Sequence, residues 1–332
     1  RIKQQSFFEV VKDLAEQYNI ELPNERRTEP SVIPQDPVVS RIIKMHELAK
    51  AFYQKKLTER SAHSEFARQY LSKRGITAQA LEKFAFGLSS NNWQELLDYL
   101  KTHGFTEEQI EQAGLSSIGQ SGRPYDKFRN RIIIPIWNNK GETIAFGGRI
   151  TDAESQPKYL NSPETKAFVK RKTLFALHLA QPQIKKSGYT ILTEGYMDTI
   201  SMHVHGFENT VASLGTAFTP EQAKLISKHS RRVLFAYDND NAGIQATIRG
   251  IDIAKAAYLT VQVLDLAPAK DPDEFLAEFG AQKLQERIEH ALDPITFQIE
   301  QTIKLQAKDN SLQEKITVLG LVLKFVEHLD NS

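Results

Sequence analysis

The chain has 332 residues, and its 42 Lys and Arg nearly balance 41 Asp and Glu, so the formal net charge of +1 favours no class of partner. It contains no cysteine, which excludes disulfides, thiolate zinc sites, iron–sulfur clusters and a cysteine nucleophile within these residues. No apolar stretch approaches the ~20 residues that a membrane span needs, and no signal peptide opens the chain, so we expect no membrane partner.

The first half of the chain is predicted to be mainly helical. Residues 1–36 indicate an amphipathic helix and a Pro-rich linker, which we interpret as the end of a domain that precedes this chain. Residues 37–186 are predicted to form a basic α+β subdomain. Its helical patterns run to about residue 114, and the hairpin "RIIIPIWNNKGETIAFGGRI" and a loop-and-helix segment follow.

The second half alternates strands and helices. The runs "YTILTE", "NTVASLG", "RVLFAY" and "TVQVLDL" predict four buried strands within residues 187–293, and helical patterns separate them. This alternation predicts an α/β fold with a parallel sheet flanked by helices. Residues 294–332 are predicted to form a C-terminal helical subdomain, whose second helix opens near Ser311.

Acidic residues follow three of the four predicted strands. In an open parallel sheet the carboxyl ends of the strands meet at one edge, where ligands bind. Crowded carboxylates repel one another unless a cation joins them, and oxygen ligands suit Mg²⁺ or Mn²⁺. For any one Asp, a helix cap or a solvated loop end is the alternative, as at Asp271. The acids are Glu194 and Asp198, Asp238 and Asp240, and Asp271 and Asp273.

The stretch "DNDNAG" after the third strand also begins like a calcium-binding EF-hand loop. In that register Ala242 occupies the third ligand position, and Arg249 occupies the twelfth position, where Glu is required. Helical periodicity also begins directly after Gly243. The sequence therefore excludes an EF-hand.

The near-neutral charge conceals a basic segment beside an acidic one. Residues 120–172 contain 11 Lys and Arg and 5 Asp and Glu, a net of +6, whereas residues 188–280 contain 7 and 12, a net of −5. Aromatic residues are interleaved with the cations, as in surfaces that bind nucleic acid. Neither common glycine-rich phosphate loop is present, and structural roles are favoured for His203 and His205.

Four motifs in this order resemble a known family. "EGYMD", "ASLGT", "DNDNAG" and "KDPD" on a βαβα frame resemble the Toprim domain, and "FGGR", "PKYLNSPET" and "FVKRKTLFAL" upstream resemble the catalytic core of bacterial DnaG-type DNA primase. The resemblance covers roughly residues 37–332. One position departs from the family pattern DGDxAG: Asn239 replaces Gly. Asn is the non-Gly residue that best tolerates left-handed backbone angles, so this departure does not weaken the resemblance.

The resemblance implies a role for each matching residue. It implies that Glu194, Asp238 and Asp240 bind metal, two or more Mg²⁺ or Mn²⁺ ions, and that Glu194 serves as a metal ligand or in proton transfer. Asp198, Asp271 and Asp273 would support these metal ligands. The resemblance also implies a catalytic role for Lys158. No zinc is expected within this chain. The residues that would bind the nucleotide and template are Arg129, Arg131, Arg149, Lys158, Asn161 and Lys170.

The function implied is that of a DNA-directed RNA polymerase that makes short RNA primers for replication. Its partners would be a single-stranded DNA template and ribonucleoside triphosphates, with the replicative helicase and single-strand DNA-binding protein contacted through regions outside this chain. Its location would be the bacterial cytoplasm, at replication forks. A Toprim-type nuclease and a non-catalytic single-stranded DNA-binding module remain as alternatives.

Overall fold

A computed structural model describes residues 36–150, 157–215 and 217–306, together with residues 15, 18 and 320. Residues 1–37 and 38–332 form two compact units. The elements below belong to the second unit, except that its first helix begins at Pro37. Most of the helix predicted before residue 22, and the helix predicted near Ser311, lie outside the described residues. Within them, no helix is long and apolar enough to cross a bilayer.

Five helices lie in the first part of the described chain, and their ends follow local sequence rules. The second and fourth end before Gly75 and Gly104, which have the positive φ values (+74° and +85°) that favour glycine. Thr106 and Gln109 form a capping box at the start of the fifth. The helices are α1 (Pro37–Thr58), α2 (Ala62–Lys73), α3 (Ala78–Lys83), α4 (Glu95–Thr102) and α5 (Glu107–Gln112).

The first six strands form an antiparallel sheet with the order β1-β4-β5-β6 and a separate ribbon, β2-β3. Strand β1 lies between α3 and α4, and the other five strands follow α5. The predicted hairpin is confirmed as β4 and β5, which pair along their length with a register shift at Ile136/Trp137. The strands are β1 (Gly87–Ser89), β2 (Ser116–Ile118), β3 (Pro124–Asp126), β4 (Arg131–Trp137), β5 (Thr143–Ile150) and β6 (Tyr159–Asn161).

The four predicted buried strands form one parallel sheet with the order β10-β9-β7-β8. This confirms the predicted α/β class. Its strands are β7 (Tyr189–Thr193), β8 (Thr210–Ala212), β9 (Arg232–Phe235) and β10 (Thr260–Val263). The helices around it are α6 (Leu177–Ser187), α7 (Tyr196–Val204), α8 (Pro220–Ser227), α9 (Asn241–Ala256), α10 (Pro272–Glu289, kinked at Gly280) and α11 (Pro294–Gln306).

Both faces of the parallel sheet are covered, as expected for strands that are apolar throughout. Helices α6, α8 and α9 pack on one face, and α7 and α10 pack on the other. A further apolar core joins Ile132 and Ile134 of β4 to Tyr196 and Ile200 of α7. The two sheets therefore share a packed interface, and the candidate site lies beside it.

Asn239, the residue that departs from the family pattern, connects two segments at the edge of the parallel sheet. Asn239 is not among the described residues with positive φ, so the position does not need a left-handed backbone. Its backbone N–H donates to the carbonyl of Lys270 at 2.6 Å, and its side-chain amide donates to the carbonyl of Ala269 at 3.5 Å. Asn239 therefore links the end of β9 to the loop that carries Asp271.

Candidate active site

A cavity of about 330 Å³ opens at the carboxyl end of the parallel sheet, and the antiparallel sheet forms its opposite wall. Carboxylates approach it from the parallel sheet, and cations approach it mainly from β5, β6 and α2. The charged side chains that line it are Glu194, Asp198, Asp238, Asp271 and Asp273, with Arg74, Arg149, Lys158 and Lys270.

Three of the carboxylates that line the site lie at or just beyond the ends of two adjacent strands, β7 and β9. Glu194 directly follows β7, Asp198 lies in the first turn of α7, and Asp238 lies just beyond β9. The backbone N–H of Asp238 donates to Glu194 Oε1 at 3.3 Å. The prediction that these strand ends bring their acids to one edge is therefore confirmed for this trio.

The ionised forms of these three carboxylates are disfavoured, because the pKa of each is raised. Burial, followed by the charge of Asp238, raises the pKa of Glu194 to about 7. Burial and the surrounding aspartates raise the pKa of Asp198 to about 7. Burial and the charge of Asp271 raise the pKa of Asp238 to about 6. A site in which several carboxylates resist ionisation at neutral pH gains most from a bound cation.

These residue types fit a hard divalent metal ion, because they supply only oxygen ligands and a bound cation would relieve the raised pKa values. In the described ranges, no three His, Asp or Glu side chains are already grouped closely enough to hold an ion. The structure therefore provides suitable ligands and electrostatics without an assembled ligand set.

Two of the predicted acids cap helices. Asp240 Oδ1 accepts the backbone N–H of Gly243 at 2.8 Å at the start of α9, and Asp271 Oδ1 accepts that of Glu274 at 2.7 Å at the start of α10. Asp271 also lines the cavity, whereas Asp240 does not. Asp271 can therefore both cap α10 and take part in the site, the two roles that the sequence suggested.

Gly243 of "DNDNAG" is required by close packing. A Cβ at this position would lie 2.0 Å from the carbonyl oxygen of Asp238 and 3.0 Å from Glu194 Oε1. No side chain fits there without moving the backbone that carries Asp238. The glycine therefore lets α9 begin against the two central carboxylates.

The basic wall is formed by several elements. Arg149 lies on β5, Lys158 immediately precedes β6, and Lys270 precedes α10. Arg74, at the end of α2, reaches across the cavity, and its Nη1 lies 3.2 Å from Asp273 Oδ2. Cations thus face carboxylates across a space about the size of a small ligand site.

Asn161 connects the two walls. It accepts a hydrogen bond from the hydroxyl of Tyr196 at 2.6 Å, and its Nδ2 donates to the carbonyl of Leu214 at 3.2 Å. The Tyr196 ring packs on Gly147, where a Cβ would lie 2.9 Å from its Cζ, and Gly148 similarly accommodates Phe128. Gly147 of "FGGR" therefore allows β5 to pack against α7, and Gly148 allows it to pack against Phe128.

The other predicted binding residues lie elsewhere. The Arg131 side chain is buried, and its Nη1 donates to the carbonyls of Gly148 and Pro157. Lys170 lies in a 3₁₀ turn, Lys170–Lys172, whose backbone is held by Gln222. Neither residue lines the cavity.

Arg129, which the resemblance assigns to nucleotide or template binding, lies on a second surface with Trp93, a residue that the sequence did not identify. Its guanidinium carbon lies 3.4 Å from the ring centroid of Trp93, and Tyr125 packs edge-on against Trp93 at 5.7 Å. Trp93 is 60% exposed, and this group lines a concavity of about 670 Å³. Exposed aromatic rings beside guanidinium groups are typical of surfaces on which unpaired bases stack. The one sequence signal for Trp93 as a binding residue is an aromatic side chain in a Ser- and Asn-rich stretch, "SSNNW".

Comparisons with known proteins agree with this arrangement. Residues 52–181 match the family model for the DNA primase catalytic core, N-terminal domain, and residues 191–276 match the Toprim-like model. The RNA polymerase domain of Mycobacterium tuberculosis primase DnaG, in complex with a double-stranded DNA oligomer with a 6-nucleotide overhang, is 30% identical with a TM-score of 0.76. That similarity covers 87% of this chain and 91% of the other.

The chain belongs to the DnaG-type DNA primase family. A DnaG primase catalytic domain bound to ssDNA is also similar, with a TM-score of 0.74 and 28% identity over 87% of this chain and 93% of that one. The Clostridium acetobutylicum DNA primase is 36% identical over 99% of this chain. The chain spans about half the length of the curated primases that it matches, 54% in that case. The Toprim-containing primase family is generally metal-dependent.

Proposed function

We propose that this protein is the catalytic core of a DNA-directed RNA polymerase that makes short RNA primers on single-stranded DNA. The reaction joins ribonucleoside triphosphates and releases pyrophosphate at each step. The relatives support this proposal, because the Clostridium acetobutylicum and Listeria innocua sequences to which the chain is similar are DNA primases and a similar catalytic domain is described as bound to ssDNA.

The observation that carries the proposal is the cavity with a wall of carboxylates opposite a wall of cations. Nucleotidyl transfer needs a place for metal ions beside a place for a triphosphate. The carboxylate wall, with Glu194 and Asp238, supplies the place for metal ions, and Arg149 and Lys158 supply the place for the triphosphate. This division explains why the basic and acidic segments of the chain fold against each other.

The chemistry divides between the bound ions and the chain. When bound, Mg²⁺ or Mn²⁺, in two or more sites, lowers the charge on the triphosphate and activates the primer 3′-hydroxyl. Glu194, Asp238 and Asp240 are the proposed ligands, and Asp198, Asp271 and Asp273 add negative charge around them. A part for Glu194 in proton transfer is the alternative role for that side chain.

The chain's own cations hold the nucleotide. Arg149 and Lys158 contact the phosphates from the antiparallel sheet, and Asn161 fixes that wall against Tyr196 and Leu214. Arginine matches phosphate oxygens with paired N–H groups, and lysine adds a point charge. These groups orient the triphosphate relative to the carboxylates.

The template is proposed to cross the surface formed by Trp93, Tyr125 and Arg129. Stacking on Trp93 suits any base, so this surface binds single strands without a fixed sequence. Arg131 acts indirectly on the nucleotide side, because it holds β5 and the segment before β6, which carry Arg149 and Lys158. We assign Lys170 to the phosphate backbone of template or nucleotide. The helicase and single-strand DNA-binding protein would act at the replication fork in the bacterial cytoplasm, through regions outside this chain.

Charge-neutralising variants test the proposal. Asp238→Asn and Asp240→Asn remove charge with little change in shape, and Asn keeps the helix cap that Asp240 provides. We expect both to abolish ribonucleotide incorporation on single-stranded DNA while the unfolding transition stays near that of the parent protein. Asp252→Asn, an exposed position on α9, is the matched control and should retain full activity.

The same variants separate the alternatives. Full primer synthesis by Asp238→Asn and Asp240→Asn would remove the carboxylates from the mechanism. Metal-dependent nicking of DNA without nucleotides would instead support a Toprim nuclease. DNA binding without any synthesis by the parent protein would support a non-catalytic single-stranded DNA-binding module.

A further inference from the structure

Arg149 is nearly buried in the wall of the cavity. It is 5% exposed, yet it lines the cavity alongside Lys158 and Asn161. Burial lowers the pKa of its guanidinium, but arginine remains charged at neutral pH because its ordinary pKa is so high. The fold thus holds one permanent positive charge at a fixed place in the site.

Two tyrosines hold this guanidinium. Arg149 Nε donates to Tyr70 Oη at 2.5 Å, and Arg149 Nη1 donates to Tyr159 Oη. The guanidinium carbon also lies 5.4 Å from the centroid of the Tyr70 ring and 4.8 Å from that of the Tyr159 ring. Two of the five N–H groups are therefore used to fix the orientation, and the other three have no hydrogen-bond partner among the described residues.

Tyr70 comes from a part of the chain that no motif marks. It lies on α2, 79 positions before Arg149. Its ring also lies near Arg74, whose guanidinium carbon is 5.9 Å from the centroid and which pairs with Asp273 across the cavity. The last turn of α2 thus places one ring beside two guanidinium groups, both of which line the cavity.

We propose that Tyr70 is a positioning residue whose hydroxyl orients Arg149 for the triphosphate of the incoming ribonucleotide. This rests on the proposed function, because it names the ligand of the same cavity. An arginine that is already fixed loses less conformational freedom when it binds phosphate. The contribution of Tyr70 is therefore expected in nucleotide affinity, with little effect on the chemical step.

A purely structural role for Tyr70 makes a different prediction. The ring packs against the core shared by the two sheets, so its removal would loosen the fold. Tyr70→Phe keeps the ring and deletes only the hydroxyl. Tyr99→Phe is the matched control, because Tyr99 is also half-buried and also packs on an apolar core through its ring.

A double-mutant cycle with Arg149→Lys tests the proposal. Lysine keeps the charge but lacks the Nε–H group that Tyr70 accepts. ATP binding with a divalent cation is measured by isothermal titration calorimetry, and KM and kcat are measured for primer synthesis. We expect Tyr70→Phe to raise Kd and KM about tenfold with kcat within twofold of the parent. The same change in the Arg149→Lys background should have no further effect, and Tyr99→Phe should change neither constant.

An unchanged Kd for ATP in Tyr70→Phe would overturn the proposal. It would also be overturned if Tyr70→Phe raised Kd in the Arg149→Lys background as much as it does in the parent protein. The binding measurement also separates this inference from the proposed function. Coupled loss of ATP affinity in a protein that makes no primers would support the positioning role and refute the primase assignment. Primer synthesis by Tyr70→Phe with an unchanged KM would support the primase assignment and refute the positioning role of Tyr70.

Discussion

Replacing Glu194 by Gln is expected to stabilise the metal-free protein. The pKa of Glu194 is raised from 4.5 to about 7 by burial and by the charge of Asp238. A carboxyl whose pKa is higher in the folded than in the unfolded state destabilises the fold when it is ionised. Gln removes the charge and keeps an oxygen that can accept the backbone N–H of Asp238.

The size and pH range of the effect follow from the two pKa values. A difference of 2.5 units, from 4.5 to about 7, corresponds to about 3 kcal/mol for a fully buried group. Glu194 is only half-buried, so solvent screening reduces this to about 1–2 kcal/mol. The penalty is absent below pH 4.5, grows as the pH rises towards 7, and is fully present at pH 8.

Urea denaturation in EDTA at pH 8 and pH 4 measures this effect. Glu194→Gln should be more stable than the parent by about 1–2 kcal/mol at pH 8, with the difference disappearing at pH 4. Saturating Mg²⁺ at pH 8 should stabilise the parent more than the variant, because binding to the folded state adds free energy. Equal stabilities at pH 8 in EDTA would refute the electrostatic reasoning.

Three further variants, one of them with a matched control, test other features of the structure. Tyr258 follows α9 with φ of 58° and is 84% exposed. Because a left-handed backbone brings Cβ too close to the following carbonyl oxygen, Tyr258→Gly should raise the free energy of unfolding by about 1 kcal/mol in urea denaturation. A decrease would contradict this. Gly243→Ala places a Cβ 2.0 Å from the Asp238 carbonyl and should cost about 2 kcal/mol or more and abolish primer synthesis. Gly119→Ala, whose nearest contact would be 3.5 Å, should leave the unfolding transition unchanged. Trp93→Ala should weaken single-stranded DNA binding roughly tenfold in fluorescence anisotropy at fixed salt without changing thermal unfolding, and unchanged affinity would exclude Trp93 from the template surface.

The parallel sheet and its carboxylates were predictable because both depend on local patterns. Short apolar runs between helical patterns predicted the strands, and the rule for strand ends placed Glu194 and Asp238 at one edge. The roles of Asp240 and Asp271 in capping helices follow equally from their place before a helix. The division of the chain into three subdomains stays a prediction, since residues 38–332 form one compact unit.

The contacts between distant segments could not be predicted. Tyr70 meets Arg149, and Arg74 meets Asp273, 199 positions away, and neither pair has a sequence pattern. The hydrogen bonds of Asn239 to the carbonyls of Lys270 and Ala269 also join segments that no sequence pattern connects.

The central claim is tested most directly by primer synthesis on single-stranded DNA with labelled ribonucleoside triphosphates, in Mg²⁺ and in Mn²⁺. We predict short RNA products that require template and divalent cation and that are absent with Asp238→Asn. Products of equal yield from the parent protein and Asp238→Asn would contradict the account, as would a parent protein that binds DNA and ATP but forms no product with either metal.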